Sequence, residues 1–167
     1  VNPASCSRMR AKMNLAEDLG RILVSRRETI AVAETTTGGL ISASIVAIPG
    51  SSAYYDRGIV AYSKAAKIEA LAIEAGELER AGAVSEETAK LLSEAIRKVS
   101  GTTYGLAETG IAGPVRGRSP KPIGTVHIAL AGPRGTEVET LLLEGDRETI
   151  QQGISKKAIM FAVSRLG

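Results

Sequence analysis

The sequence predicts a three-layer α/β/α fold built on a mixed sheet. Three observations carry that expectation. Short β-branched runs alternate with helical patterns through the first two thirds of the chain. Two of the strand ends run into glycine-containing turns of similar punctuation, AETTTGG at 33–39 and AETGIAGP at 107–114. A hairpin pattern then precedes a final helix. With 167 residues the chain fits one domain, expected to span 11–167 behind a polar, frayed leader at 1–10.

The elements follow in order. Leu15, Leu19, Ile22 and Leu23 recur at helical spacing before Arg27. TIAVAE (29–34) has strand character and breaks at Thr35-Thr36-Thr37-Gly38-Gly39, after which LISASIVAI reads as a helix stopped by Pro49-Gly50. GIVAY (58–62) is the second expected strand, followed by a helix from Ser63 to about Leu71 and then a turn with a short helix. Ser85 caps a helix that runs through Val99. TYGLAE (103–108) is the third strand, and its loop continues into a basic, Pro-containing segment from Val115 to Pro122. GTVHIALAGP and TEVETLLLE form the hairpin around Pro133-Arg134-Gly135. Gly145-Asp146-Arg147 leads into a helix ending at Leu166.

Composition excludes several function classes. The chain is 44% hydrophobic but has no Trp and one Phe, Phe161, so Ala, Ile, Leu and Val must fill the core. A net charge of +3, spread along the chain, does not make a nucleic-acid footprint, and too few rings are present for a base-stacking platform. A small anionic substrate suits this balance better. Cys6 is the only cysteine, which excludes an internal disulfide or CxxC site, and no function is expected of it. His127 lies in the alternation TVHIAL and reads as a strand residue. With one His and one Cys, no zinc site is expected. No window approaches ~18 consecutive apolar residues, and the N-terminal stretch lacks the apolar centre of a secretory signal. The cytoplasm is the expected location, with neither nucleic acid nor membrane as partner.

The candidate chemistry sits at strand ends, where loops of α/β sheets build the ligand crevice. Thr35, Thr36 and Thr37 before Gly38 are placed to donate hydrogen bonds or supply a nucleophile. The alternative is that they only cap the following helix. Lys67, after Tyr62, Ser63 and Lys64, becomes a general base if burial lowers its pKa, although most exposed lysines merely solubilise. Hydroxyl–lysine pairs hydrolyse amides without histidine. Arg57, Arg116, Arg118, Lys121 and Arg147 are candidates for holding a phosphate or carboxylate, the alternative for each being a solvated surface charge.

AETTTGGL, IPGSSAYYDRGIVAYSKAAK, GAVSEETA, TGIAGP with KPIGTVHIA after it, and GDRETI occur in an order that resembles the CinA C-terminal family, from about residue 13 to the end. The resemblance implies a stand-alone α/β/α domain that hydrolyses the carboxamide of nicotinamide mononucleotide to carboxylate and ammonia, with neither a metal nor an organic cofactor. Its serine nucleophile, in an AESCTGG motif, corresponds to Thr35, and the cysteine after it to Thr36. The tyrosine and lysine of its YSNxAK motif correspond to Tyr62 and Lys67, with Lys64 in place of the asparagine. Glu34, Thr36, Thr37, Gly38, Glu108, Thr109 and Gly110 are then expected to shape the substrate site together with the basic residues named above.

The departures are patterned. Thr35 is a secondary alcohol, stiffer at χ1 than serine. Glu108 stands where relatives usually carry an apolar residue, and Val115-Arg116-Gly117-Arg118 replaces a loop richer in glycine. All fall on expected pocket segments, which predicts a shift in substrate or chemistry, such as action on another small or cyclic amide. In the leading reading Thr35 attacks the carbonyl, Lys67 accepts its proton with Tyr62 as relay, and N–H groups near Thr36 to Gly38 stabilise the oxyanion. The alternatives are a ligand-binding protein of the same fold without turnover, and a regulatory partner of another protein. Self-association is expected of so compact a domain.

Overall fold

The computed structural model describes residues 14–117 and 119–167; the expected leader with Cys6, and Arg118, lie outside them. A five-stranded sheet runs in the order β2-β1-β3-β4-β5, formed by β1 (Ile30–Glu34), β2 (Tyr55–Val60), β3 (Tyr104–Gly110), β4 (Thr125–Gly132) and β5 (Gly135–Leu142). β1 pairs in parallel with β2 and β3, whereas β3–β4 and β4–β5 are antiparallel. The sheet is mixed, as the alternation followed by a hairpin predicts.

Helices cover both faces. α1 (Leu15–Arg26), α2 (Leu40–Val46) and α6 (Arg147–Leu166) lie on one side; α3 (Lys64–Leu71), α4 (Ala75–Ala81) and α5 (Glu86–Ser100) lie on the other. Alternation along the strands sorts the two cores. Ile30, Val32, Leu106 and Ile128 face the first set with Phe161, while Ala31, Ala33 and Ala107 face the second with Leu92 and Ile96. Small residues on the second face let α5 settle closely on β3. At Gly105 an added Cβ would overlap Ser93 O and Arg97.

Helix starts follow their caps. Asn14 Oδ1 accepts from Ala16 N, Ser63 Oγ from Ala66 N, Ser85 Oγ from Thr88 N, and Asp146 Oδ1 from Thr149 N. α2 differs: Gly39 precedes it in a left-handed conformation with no side-chain cap. The hydroxyls of Thr35, Thr36 and Thr37 bond elsewhere, so the capping alternative for them does not hold.

Two strand boundaries depart from expectation. β2 begins at Tyr55 rather than Gly58, because Tyr55 pairs with Ile30 across a register irregularity. Ala61 and Tyr62 therefore lie beyond its end. β3 continues through Thr109 and Gly110, which pair with His127 and Val126. The antiparallel partner extends the ladder past the parallel neighbour, whose pairing with β3 stops at Ala107. A short 3-10 turn, Ser51–Ala53, follows Pro49-Gly50.

Candidate active site

The carboxyl ends of β1 and β3 stand side by side and their next residues open a cleft of about 320 Å³, near the lower end of the range of about 300–1,000 Å³ for small-molecule sites. Thr35, Thr36, Tyr62, Lys67, Thr109, Gly110, Arg116 and Arg147 line it together with Ala83, Val84 and the 111–113 turn. Thr35 Oγ1 lies 3.0 Å from the carbonyl of Glu108 and 3.3 Å from Thr36 Oγ1, and Thr36 Oγ1 donates to Gly110 O at 3.1 Å. The threonines thus stitch the β1 turn to the end of β3.

Lys67 comes from the first turns of α3 and is 9% exposed. Its Nζ donates to the backbone carbonyl of Tyr62 at 3.3 Å. Burial pushes its pKa below the ordinary lysine value, against the opposing pull of Glu108. Tyr62 is largely exposed, and its phenol oxygen lies 3.4 Å from Arg147 Nη2. Lys67 thus meets the main chain of Tyr62 while the ring turns to Arg147. Arg147, in the first turn of α6, also donates from Nη1 to Gly113 O at 2.8 Å.

Two carboxylates lie beneath this surface, and neither is exposed to solvent. Glu34 collects donors from the start of α2: the N–H groups of Gly39, Ile41 and Ser42 at 2.8–3.1 Å, Ser42 Oγ at 2.5 Å and Thr37 Oγ1 at 2.6 Å. Gly58 on β2 leaves the space that Ser42 occupies, since a Cβ there would meet Ser42 Oγ. Glu108 Oε1 accepts from the N–H groups of Thr35 at 2.7 Å and Thr37 at 3.0 Å, and lies 2.9 Å from Thr37 Oγ1. The Thr37 N–H, which the sequence reading offered to an oxyanion, is engaged by Glu108.

Other expected site residues are placed differently. Thr37, Glu34 and Glu108 form the layer below the cleft, and Gly38 is not among the lining residues. Arg57 sits exposed on edge strand β2, paired with Asp56, away from the lining. Lys121 donates to Val84 O and is likewise not among the lining residues. Arg118 is outside the described residues. His127 is a buried strand residue with Nδ1 2.8 Å from Thr140 Oγ1. Among the described residues, no three His, Cys, Asp or Glu side chains group as a metal site, and no helix is long and apolar enough to cross a membrane.

Sequence reasoning missed Gln151, whose Nε2 donates to Thr36 O at 2.9 Å. It follows Arg147 by one helical turn, and that spacing puts both on one face of α6. Ser42 and its service to Glu34 were also missed.

The model of the CinA C-terminal domain matches residues 12–166. A CinA-like protein of Desulfosudis oleivorans is 46% identical over 133 residues, covering 80% of this chain and 32% of that protein. The chain thus spans about a third of the length of the curated relatives it matches. A crystal structure of the competence damage-inducible protein A (ComA) from Klebsiella pneumoniae subsp. pneumoniae MGH 78578 superposes with a TM-score of 0.87 at 32% identity, covering 91% of this chain and 94% of that one. A competence-damaged protein (CinA) superfamily protein from Enterobacter cloacae gives 0.87 at 29% identity, covering 92% and 90%.

Proposed function

Because the chain belongs to the CinA C-terminal domain family, we propose that it is an amidohydrolase of the nicotinamide mononucleotide deamidase type, acting on that compound or on another small or cyclic amide. Thr35 Oγ attacks the carboxamide carbon while Lys67 takes the hydroxyl proton. Lys67 returns the proton to the leaving nitrogen, ammonia departs, and an ester on Thr35 remains. Water then cleaves the ester, giving the carboxylate and restoring Thr35. Tyr62 enters twice, through the carbonyl that fixes Lys67 Nζ and through the phenol that meets Arg147. Arg116 and Arg147 offer the charge for an anionic substituent. The reaction needs no cofactor. The same proposal makes the protein a cytoplasmic, self-associating enzyme of small molecules; analytical ultracentrifugation checks the association.

The observation that supports this reading is the meeting of a threonine hydroxyl, a buried lysine with a lowered pKa, and two arginines in one cleft. Ammonia release from nicotinamide mononucleotide is measured for the wild type, Thr35→Ser and Thr35→Ala. Turnover by wild type and serine variant, with loss of at least about a thousandfold in alanine, is the expected result for a nucleophile. Undiminished turnover by Thr35→Ala would sink the assignment.

A second reading, ligand binding without turnover, is favoured by the bond from Thr35 Oγ1 to the Glu108 carbonyl, which directs the hydroxyl away from the cleft. It predicts thermal stabilisation by nicotinamide mononucleotide with no ammonia from the wild type.

A further inference from the structure

The hydrogen-bond count beneath the cleft does not close with two ionised carboxylates. Thr37 Oγ1 lies 2.6 Å from Glu34 Oε2 and 2.9 Å from Glu108 Oε1. A hydroxyl carries one proton, and an ionised carboxylate carries none. One of those two short contacts would then set lone pair against lone pair between buried anions. The Thr35 hydroxyl supplies no relief, since its proton goes to the Glu108 carbonyl at 3.0 Å and Glu108 Oε2 lies further off at 3.5 Å. With both carboxylates ionised, these contacts are one proton short.

The donor inventory says where. Glu34 receives three N–H groups and the Ser42 hydroxyl besides Thr37, an environment that satisfies a full negative charge. Glu108 receives two N–H groups and, among the described residues, no hydrogen bond from a cation. We propose that Glu108 is a positioning residue held as a neutral carboxylic acid, sharing one proton with Glu34 through the Thr37 hydroxyl; in that form it fixes the Thr35–Thr37 turn without setting a second negative charge beside Lys67.

Among the described residues, the charged groups that face Glu108 are Glu34 on β1 and Lys67 on α3. β4 sets Ile128 opposite it in register, and α6 brings Gln151 to the neighbouring Thr36 carbonyl. Burial pushes the Glu108 carboxyl above the usual carboxylate range, outweighing the bonds from Thr37 and Thr35 that pull it down. The consequence falls on Lys67, whose amine is harder to deprotonate beside an anion than beside a neutral acid. The functional half of the proposal rests on the reading of Lys67 as base; the protonation half does not.

Infrared spectroscopy of the intact protein tests the protonation directly and without turnover. At pH 7 a carboxylic-acid C=O band is expected in the wild type and absent in Glu108→Gln. Thr37→Val, which removes the bridging hydroxyl at nearly constant volume, shifts that band and gives a second route should the glutamine variant fail to fold. Lack of the band in the wild type overturns the proposal, as does a band that neither substitution moves. Where ammonia is released, the acid limb of kcat/KM reports Lys67. That limb stays at the same pH in Glu108→Gln if residue 108 is neutral in the wild type, whatever the rate. A limb displaced to lower pH would show that a real charge had been removed, and would overturn the functional half even with the band present. Absence of ammonia from every variant refutes the amidohydrolase reading and leaves the infrared result standing on its own.

Discussion

At the scale of single residues, the site holds two buried glutamates treated in opposite ways. Glu34 is enclosed by five donors, and replacement by Gln would turn a donor amide towards some of them. Hydrogen bonds to a charged group are worth about 1.5–3 kcal/mol each. Glu34→Gln is therefore expected to cost at least ~3 kcal/mol, read as a fall in the urea midpoint. Lys67 carries a different liability. Its folded-state pKa lies below the unfolded value of 10.5, so the unfolded chain binds more protons and stability rises with pH between the two. Lys67→Met is expected to be more stable than the wild type at pH 7, with the gap narrowing as the pH approaches 10; urea unfolding across that range is the check. Of these residues, Thr35, Tyr62 and Lys67 could be named from the sequence because they lie in recognisable motifs. The sharing of Thr37 between Glu34 and Glu108 could not. It depends on two strand ends, 74 positions apart, standing side by side, and on side-chain distances that no local pattern encodes.

At the scale of elements, His127 links three of them. It lies on β4, bonds to Thr140 on β5, and Thr140 donates to Glu86 at the start of α5. Burial lowers the His127 pKa below the ordinary 6.5. The unfolded chain then binds the extra proton first, and stability falls as the pH drops through about 6.5 towards the folded value. His127→Gln should flatten that acid limb in urea titrations between pH 7 and 5; an unchanged slope would locate the acid sensitivity in another group. The close fit of α5 on β3 makes a second expectation. Gly105→Ala forces a methyl into Ser93 O and Arg97, an overpacking change of about 1–3 kcal/mol, visible as a lower melting temperature. Element order was legible because Pro49-Gly50 and the capping serines and aspartate punctuate it locally. The start of β2 was not: the polar pair Asp56-Arg57 interrupts the apolar run, yet an exposed edge strand tolerates them. Thr109-Gly110 read as loop for the converse reason, that only the register with β4 reveals their pairing.

At the scale of the whole molecule, the sheet splits its labour. The three parallel strands supply the loops that carry Thr35, Tyr62 and the 111–113 turn, while the hairpin β4–β5 extends the sheet away from the cleft. The cleft draws on both helical layers, α3 from one side and α6 from the other, so a bound ligand ties them together. A small ligand at 100 times its Kd adds about 2.7 kcal/mol to stability. In a domain of this size that raises Tm by about 5–10 °C. Nicotinamide mononucleotide is expected to do so for Thr35→Ala, in which the proposed turnover cannot remove it. Equal melting curves with and without it would exclude this compound as a ligand.

The contribution of α6 to the cleft also has a meaning in time. Arg147 and Gln151 are in its first two turns, while Phe161 and Leu166, further on, lie in the core. During synthesis, a chain that has emerged only through β5 already holds Thr35, Lys67 and both buried glutamates. It lacks the side chains that grip Gly113 and Thr36, and the residues that anchor that helix have yet to be added. The cleft would be completed only when α6 docks, and a translation product cut short before Phe161 would carry Thr35 without the core residues that hold α6 against it.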